Sequence, residues 1–314
     1  MQLTTNTRAF VEAEQYSSFI LMNLHDGLLP GAFYRNVADF THGDTLHIKT
    51  IGEVTLQEAE EDTALIYSPI ESGEITFTIT EYIGDAWYVT DDLREDANQI
   101  EQLTAARSVA QTRAIQERFE TDFLKKAASP AAGATTGLPV NGINHFFVSN
   151  KTNNTFDIEY FVVMRLAFDK ANVPASGRIA IVDPVVEATL NLKVSITNDV
   201  TQFAQDILQR GLASGQRFIS NWFGWDVMTS NRLYVGAAND GTTSLASGVY
   251  NLFMCVLDDQ TKPVISAWRR QPKAEGERNK DFARDEYVVR ARYGFGLQRI
   301  DTLGWVVTSA TAYK

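Results

Sequence analysis

The stretch Ile75-Thr76-Phe77-Thr78-Ile79 alternates apolar and polar side chains without a break. Successive side chains of a β-strand point to opposite faces of the sheet, so this alternation predicts a strand with one apolar face. Earlier in the chain, Leu46 and Ile48 show the same spacing. We interpret the two segments as the paired strands of one long hairpin.

The connection between these strands is long and acidic. Residues 53–74 contain seven acidic side chains, no Lys and no Arg, and they show neither helical nor strand periodicity. A connection of this length is uncommon in a compact domain unless it is functional or disordered. We therefore expect an arm that projects from the body of the protein, with four candidate contact residues: Glu58, Glu60, Glu61 and Asp62.

Two segments that flank the hairpin have helical patterns. Residues 95–128 are rich in Ala, Glu, Gln, Leu and Arg, contain no Gly or Pro, and end before Pro130. This composition predicts one helix of about 50 Å, at about 1.5 Å per residue, and its narrow Ala-rich apolar seam predicts a spine lying on a sheet. Upstream, apolar residues between Thr7 and Leu29 recur at helical intervals, which predicts an amphipathic N-terminal helix.

A second domain begins after residues 130–155, which are rich in Ala, Gly, Pro, Thr and Asn. Its pattern alternates helices and strands, which suggests an α/β core. Pro184 fits the first turn of a helix, where its missing N–H costs nothing. The expected elements are a helix at 157–172, a strand at 178–183, a helix from 184, and strands at 217–233, 248–257 and 263–268.

Charge is distributed unevenly along the chain. Residues 1–101 carry 19 acidic and 4 basic side chains, and the remainder carries 20 acidic and 24 basic ones. In the basic C-terminal part, Arg290 and Arg292 alternate with Val289, Ala291 and Tyr293, which places both guanidinium groups on one face of a strand. This basic face is a candidate partner for an acidic neighbour. The alternative is that both charged regions are solvated surface.

The composition excludes several classes of protein. A net charge of −11 argues against nucleic-acid binding, because affinity for phosphates depends mostly on clustered Lys and Arg. No stretch approaches the ~20 apolar residues of a membrane helix. The first ten residues lack the features of a signal peptide, and a single Cys255 cannot form an intrachain disulfide, so we expect an intracellular, reducing origin.

The sequence shows no catalytic pattern. Its four histidines, His25, His42, His47 and His145, lack the spacing of known zinc sites, and Cys255 lies in an apolar run typical of a buried thiol. The loop at 236–243 lacks the Lys of a phosphate-binding loop, and no nucleophile elbow occurs. We expect no catalytic residue, no metal and no cofactor.

The order of these elements resembles the major capsid proteins of tailed bacteriophages, which have the Hong Kong 97-type fold, an α+β fold. The resemblance covers nearly the whole chain, although each motif alone is weak. In the first third of the chain, three segments support the resemblance: 43–48 (Gly-Asp-Thr-Leu-His-Ile), 75–79, and 87–92 (Trp-Tyr-Val-Thr-Asp-Asp). Further on, 181–184 looks like a strand-turn before a helix, 223–231 like a characteristic strand, and Tyr293-Gly294 like a closing strand turn.

The resemblance implies a division of the chain into five parts. They are an N-terminal arm (1–45), an extended hairpin loop (46–80), a peripheral domain with a spine helix (81–149), an axial domain (150–265), and the C-terminal strands of the peripheral domain (266–314). Some family members crosslink a Lys of the extended loop to a neighbouring subunit. Residues 50–80 contain no Lys, so this covalent bond is not expected here.

The resemblance also implies a function. The protein would self-assemble as hexamers and pentamers into an icosahedral virion capsid around double-stranded DNA, in the host cytoplasm. Partners would include scaffolding, portal and cement proteins, without specific nucleic-acid or membrane binding. Three other interpretations stay open on the sequence: an encapsulin-like nanocompartment, a two-domain α/β enzyme, and an appendage or tail-tube subunit.

Overall fold

A computed structural model describes most of the chain: Leu29, 31–37, 45–51, 56–59, 61, 72–96, 100–196 and 218–313. The predicted N-terminal helix lies almost wholly outside the described residues, as do Glu60 and Asp62 of the arm. His25 and His42 lie outside them as well.

The described part of the chain contains four α-helices, two short 3-10 helices (Gly31–Phe33 and Thr152–Asn154) and fifteen strands. The helices are α1 (Asp91–Asp96), α2 (Ile100–Ala128), α3 (Glu159–Lys170) and α4 (Pro184–Ile196). The first eight strands are β1 (Arg35–Asn36), β2 (Thr45–Ile51), β3 (Ser72–Thr78), β4 (Glu81–Thr90), β5 (Pro139–Val140), β6 (Ile143–Asn144), β7 (Phe146–Val148) and β8 (Arg178–Val182). The others are β9 (Phe218–Trp222), β10 (Trp225–Thr229), β11 (Val235–Asn239), β12 (Ser244–Cys255), β13 (Val264–Asn279), β14 (Arg284–Leu297) and β15 (Leu303–Thr308).

The predicted hairpin is confirmed. Strands β2 and β3 pair antiparallel, with Leu46 opposite Phe77 and Ile48 opposite Ile75. The alternation in the sequence predicts β3 correctly because one face of this strand is apolar. That face is covered at the C-terminal end of β3, where Phe77 is buried.

A four-stranded sheet, in the order β1-β13-β14-β4, carries the long helix. Helix α2 has 29 described residues, about 44 Å at about 1.5 Å per residue, and residues 97–99 between α1 and α2 lie outside the described residues. Its C-terminal half packs on the sheet. The Phe119 ring stacks on Trp268 at 4.6 Å between centroids and meets Tyr293 edge-on at 4.9 Å. The predicted spine on a sheet is therefore confirmed.

Two features of this sheet correct the expectations from sequence. Strand β13 does not stop at residue 268 but continues to Asn279, because its second half pairs along β14. Tyr293-Gly294 lies in the interior of β14 and not at a turn, since both residues pair with β13 and Tyr293 also pairs with β4.

The second sheet has seven strands, in the order β7-β15-β12-β8-β10-β9, with β11 on β12. Every residue of β8 is buried, as its apolar run predicts, and α4 follows with Pro184 in its first position. Asp183 caps this helix by accepting a hydrogen bond from the Val185 N–H at 3.0 Å. The expected single strand over 217–233 is wrong. It is the hairpin β9–β10, which turns at Phe223 and Gly224, both with positive φ.

The two sheets share one hydrophobic core. A single cluster joins Phe119 and Phe123 of α2 and Phe295 of β14 to residues of the seven-stranded sheet such as Leu252 and Trp305. The Trp305 Nε1 atom donates a hydrogen bond of 2.9 Å to the Ala127 carbonyl near the end of α2. Helices α3 and α4 cover the other face of the seven-stranded sheet with a second cluster.

Candidate assembly surfaces

The base of the β2–β3 hairpin rests on glycines of β14. A Cβ atom added at Gly294 would lie 2.8 Å from the Ile79 Cα atom, and one added at Gly296 would lie 2.6 Å from the Phe77 ring. Because these are closer than real Cβ contacts, only glycine lets the hairpin lie so near the sheet. Phe77 and Ile79 pack there with Ala267.

Beyond this anchored base the hairpin is largely exposed. In β3, residues 72–74 are exposed, and in β2 so are Thr45, His47 and Lys49. The His47 Nδ1 atom lies 2.7 Å from a Glu74 carboxylate oxygen across the two strands. The hairpin is thus fixed to the sheet at one end, with little burial along the rest of its described length.

The arm residues that the structure describes are solvent-exposed. Leu56 is 90% exposed, the highest value among the large apolar side chains described. Glu58 and Glu61 are also exposed, and neither forms an ion pair with another described residue. Leu56 therefore gains almost no burial of apolar surface when its own subunit folds.

The basic face predicted at Arg290 and Arg292 is larger than the sequence indicated. Val289, Ala291 and Tyr293 are buried, whereas Arg290 is exposed and Arg292 is half-buried, as the alternation predicts. Across the ladder to β13, Arg290 lies opposite Lys273, and Arg292 opposite Arg270. We call these four residues the basic quartet: Arg270, Lys273, Arg290 and Arg292.

Like charges directly opposite each other destabilise a pair of strands. Glu275 partly offsets the quartet, since its carboxylate lies 2.7 Å from a guanidinium nitrogen of Arg270. Toward β4 the neighbours are uncharged, because Arg290 lies opposite Gly84 and Arg292 opposite Tyr82. Lys273 and Arg290 therefore place two positive charges side by side on this face of the sheet. Sequence reasoning missed Lys273 and Arg270 because only the strand register places them there.

The far end of this sheet carries an exposed network of charges that joins α1 to the β13–β14 hairpin. The two guanidinium nitrogens of Arg278 contact Asp91 at 2.7 and 2.8 Å, and one of them reaches Asp285 at 3.2 Å. Arg94 also contacts Asp285. The hydrogen bonds from Arg278 hold the pKa of Asp91 below its usual value. Exposed pairs of this kind contribute little to stability but fix the position of α1.

The known family that matches the sequence is described as phage capsid protein, and it matches residues 73–308. This chain is a member of that family. Solved structures similar to it include "Mycobacterium phage Che8", with 15% identity, 96% of this chain and 98% of the other covered, and a TM-score of 0.65. A second is "Capsid structure of the Cyanophage P-SCSP1u", with 15% identity, 97% of this chain and 94% of the other covered, and a TM-score of 0.68. A third is "Asymmetric unit of bacteriophage PhiM1 mature capsid", with 11% identity, 96% of this chain and 93% of the other covered, and a TM-score of 0.69. No curated protein matches the sequence.

The resemblance to the tailed-phage major capsid proteins is thus confirmed, and the α+β architecture is of the Hong Kong 97 type. The similarity of fold extends over almost the full length of the chain at 15% identity or less. A capsid protein is a structural protein that associates with its own copies, so the exposed arm and the basic quartet are candidate surfaces for that association.

Two side chains of the capsid protein that the sequence analysis considered for chemistry are buried. His145 is buried, with its Nδ1 atom 2.8 Å from the Leu303 carbonyl oxygen and its ring stacked on Phe168. Cys255 is buried, as its apolar run predicts. Within the described ranges, no group of three or more His, Cys, Asp or Glu side chains is placed to hold a metal ion. No described helix has the length and apolar character needed to span a membrane.

One partly buried ionic cluster joins the spine helix α2 to the loop that follows β10 in the capsid protein. Glu120 accepts hydrogen bonds from the Leu29 N–H at 2.9 Å and from the Ser230 hydroxyl at 3.3 Å, and its carboxylate lies 3.4 Å from Arg232. A second guanidinium nitrogen of Arg232 lies 3.1 Å from Glu117. Sequence analysis missed this cluster because its partners are far apart in the chain. Arg113 also lies 3.1 Å from Glu117, so two carboxylates and two guanidinium groups balance one another in a structural cluster.

Proposed function

We propose that this capsid protein is the shell-forming subunit of a tailed phage, arranged as hexamers and pentamers in an icosahedral shell around double-stranded DNA. The observation that carries the proposal is the anchored hairpin, whose described arm residues Leu56, Glu58 and Glu61 are exposed in their own subunit and are available to another copy. The net charge of −11 supports it, because a shell that bound phosphates strongly would impede the movement of DNA.

The proposal includes the five-part division of the chain inferred from the resemblance. The four-stranded sheet with α2 corresponds to the peripheral domain, and the seven-stranded sheet with α3 and α4 to the axial domain. Two strands of the seven-stranded sheet, β7 and β15, fall in the sequence ranges given to the peripheral domain. The shared core between the sheets supports a subunit that moves as one unit. Scaffolding, portal and cement proteins would be its partners during assembly in the host cytoplasm.

We further propose that the arm of one subunit lies on the basic face of its neighbour. Glu58, Glu60, Glu61 and Asp62 would supply the carboxylates, and Arg290 and Arg292 the cations. Each exposed ion pair contributes only about 0.2–1 kcal/mol. The same contact recurs at every interface of a closed shell, so its effect on assembly is multiplied by the number of copies.

Charge reversal tests this contact. Changing Glu58, Glu60 and Glu61 to Lys should impair shell formation, and so should Arg290→Glu with Arg292→Glu, as followed by light scattering and negative-stain imaging. Combining the two sets should restore part of the assembly, because opposite charges face each other again. As a control, Lys125→Glu with Lys170→Glu makes the same charge change at exposed sites away from the quartet, and the reversed arm should not rescue it.

The outcomes separate the two levels of the proposal. If the unaltered protein remains a 35.0 kDa monomer under all assembly conditions, with and without a scaffolding protein, the shell-forming function is wrong. If shells form but the combined variant is no better than its worse parent, the arm and the basic face do not meet.

A further inference from the structure

An apolar cavity lies between α2 and β13, next to Leu29, the first residue that the structure describes. Its volume is about 390 Å³. Its walls include the apolar or aromatic side chains of Leu29, Tyr34, Ile115, Phe119, Phe123 and Trp268. The removal of one large side chain from a packed core leaves a cavity of about 150 Å³, so this cavity has room for two such side chains.

The chain meets this cavity at a fixed point. The Leu29 N–H donates a hydrogen bond of 2.9 Å to Glu120, a buried carboxylate that Arg232 also contacts at 3.4 Å. Five residues further on, the Tyr34 ring packs edge-on against Phe119 at 5.5 Å between centroids. Leu29 is therefore held at the wall of the cavity, and the residues that precede it in the chain start there.

The sequence before Leu29 carries apolar side chains at a spacing that suits the cavity. Its apolar residues recur at helical intervals, and three of them are four residues apart: Ile20, Leu24 and Leu28. Positions four apart on a helix share one side and are separated by about 6 Å, at about 1.5 Å per residue. Three residues of α2 that line the cavity have the same spacing: Thr112, Gln116 and Glu120. A helix lying beside α2 would therefore match this wall in length.

The cavity is accessible along the edge of β13. Gln271 and Pro272 line it, and both lie beyond Ser266, the last residue of β13 that pairs with β1. In the described part of the chain no strand pairs with this edge after Ser266, and residues 271–278 are all exposed. A segment can therefore lie in the cavity without displacing any described element.

We propose that residues 20–28 of each subunit pack into the cavity of that same subunit, with Ile20 and Leu24 in contact with its aromatic wall. The occupant is the subunit's own segment, because its covalent link at Leu29 keeps it at a high effective concentration beside the cavity. A second copy would have to displace it. The segment then completes the core along α2 before any assembly, so the inference does not depend on the shell-forming function.

Thiol reactivity tests the inference on the unassembled, full-length subunit. Leu24→Cys is compared with Met22→Cys, because positions two residues apart on a helix of about 3.6 residues per turn differ by about 200°. Leu24→Cys should react about tenfold more slowly, a factor equivalent to ~1.4 kcal/mol. Cys255 is fully buried and should stay unreacted in both proteins. Equal rates for the two variants would overturn the inference.

A second measurement reports from the wall of the cavity. Gln116→Cys, on the α2 wall, should react about tenfold faster when Ile20→Asp and Leu24→Asp are added, because charged side chains expel the segment from an apolar site. Met22→Asp is the matched control and should leave the rate at Gln116→Cys unchanged. A thiol at exposed Lys125, on α2 but outside the cavity, should react equally with and without the two added charges. An unchanged rate at Gln116→Cys would contradict the proposal.

Mixing subunits identifies which copy supplies the segment. Unaltered subunits are added in excess to the protein that carries Ile20→Asp, Leu24→Asp and Gln116→Cys, below the concentration at which particles form. The fast reaction should persist, because the unaltered segments stay in their own subunits. If the unaltered subunits slow the reaction, a second copy supplies the segment, and the inference is overturned while the shell-forming function stands.

Discussion

Replacing Gly294 by Ala should lift the base of the arm hairpin from the sheet. The new Cβ atom would lie 2.8 Å from the Ile79 Cα atom and 3.0 Å from the Thr78 carbonyl oxygen, and neither backbone atom can turn away as a side chain could. Overpacking of this kind costs about 1–3 kcal/mol. If the base detaches completely, Phe77 and Ile79 lose their burial, at about 1.5–3 kcal/mol each.

Because the less costly of these two responses sets the loss, we expect Gly294→Ala to lower the free energy of unfolding of the unassembled subunit by about 1–3 kcal/mol. Urea unfolding followed by circular dichroism measures this, and light scattering measures assembly, which a misdirected arm should prevent. The matched control is Gly276→Ala in β13, where the added Cβ would lie 3.3 Å from the Tyr287 ring and 3.9 Å from a backbone atom, the Glu286 carbonyl oxygen. It should change stability by less than about 1 kcal/mol. Equal stability and equal assembly of the two variants would refute the role assigned to Gly294.

Two other residues give sharp expectations. Asn251→Ala should lower the free energy of unfolding, measured with urea, by at least about 3 kcal/mol. The substitution removes the hydrogen bonds that Asn251 makes to three buried groups, the Asp183 N–H, the Val306 carbonyl and the Thr308 hydroxyl. Thr308→Val, which removes one of these contacts, should cost clearly less, and equal losses would contradict the network. Burial raises the pKa of Asp183, so its ionisation destabilises the folded protein as pH rises above the ordinary value of 3.8. Asp183→Asn, which keeps the helix cap, should therefore gain stability relative to the unaltered protein between pH ~3 and ~7, and a difference independent of pH would rule this out.

The predictable parts of the fold are those in which one face of an element is buried. Phe77 and Ile79 alternate with threonines because the hairpin base covers one side of β3, and β8 is an apolar run because all its residues are buried. The second half of β13 could not be predicted in the same way. Residues 271–278 are exposed, so pairing with β14 holds them in a strand while the sequence shows no apolar alternation.

The candidate surfaces were predictable to a similar extent. The alternation around Arg290 and Arg292 assigns them to one face without any knowledge of their neighbours. The contribution of Lys273 depends on the register between β13 and β14, which shifts between Trp268 and Arg270 and again before Lys273. Such irregularities have no reliable sequence signal. The positive φ of Phe223, which splits the expected strand at 217–233, was equally hidden because an aromatic residue rarely occupies that conformation.

Helix α2 is held unequally along its length. Toward the C-terminal end of α2, Phe123, Leu124 and Ala127 are buried, and Trp305 donates a hydrogen bond to the helix backbone. Near the N-terminal end, Leu103 and Val109 are half-exposed. The helix therefore behaves as a rigid rod that is held at its C-terminal end. A tilt of about one degree at that end moves the N-terminal end of a helix of about 44 Å by roughly 0.8 Å. Such a subunit can adapt to different local curvatures of a surface with small adjustments in its core, while the packing around the C-terminal end of α2 is kept.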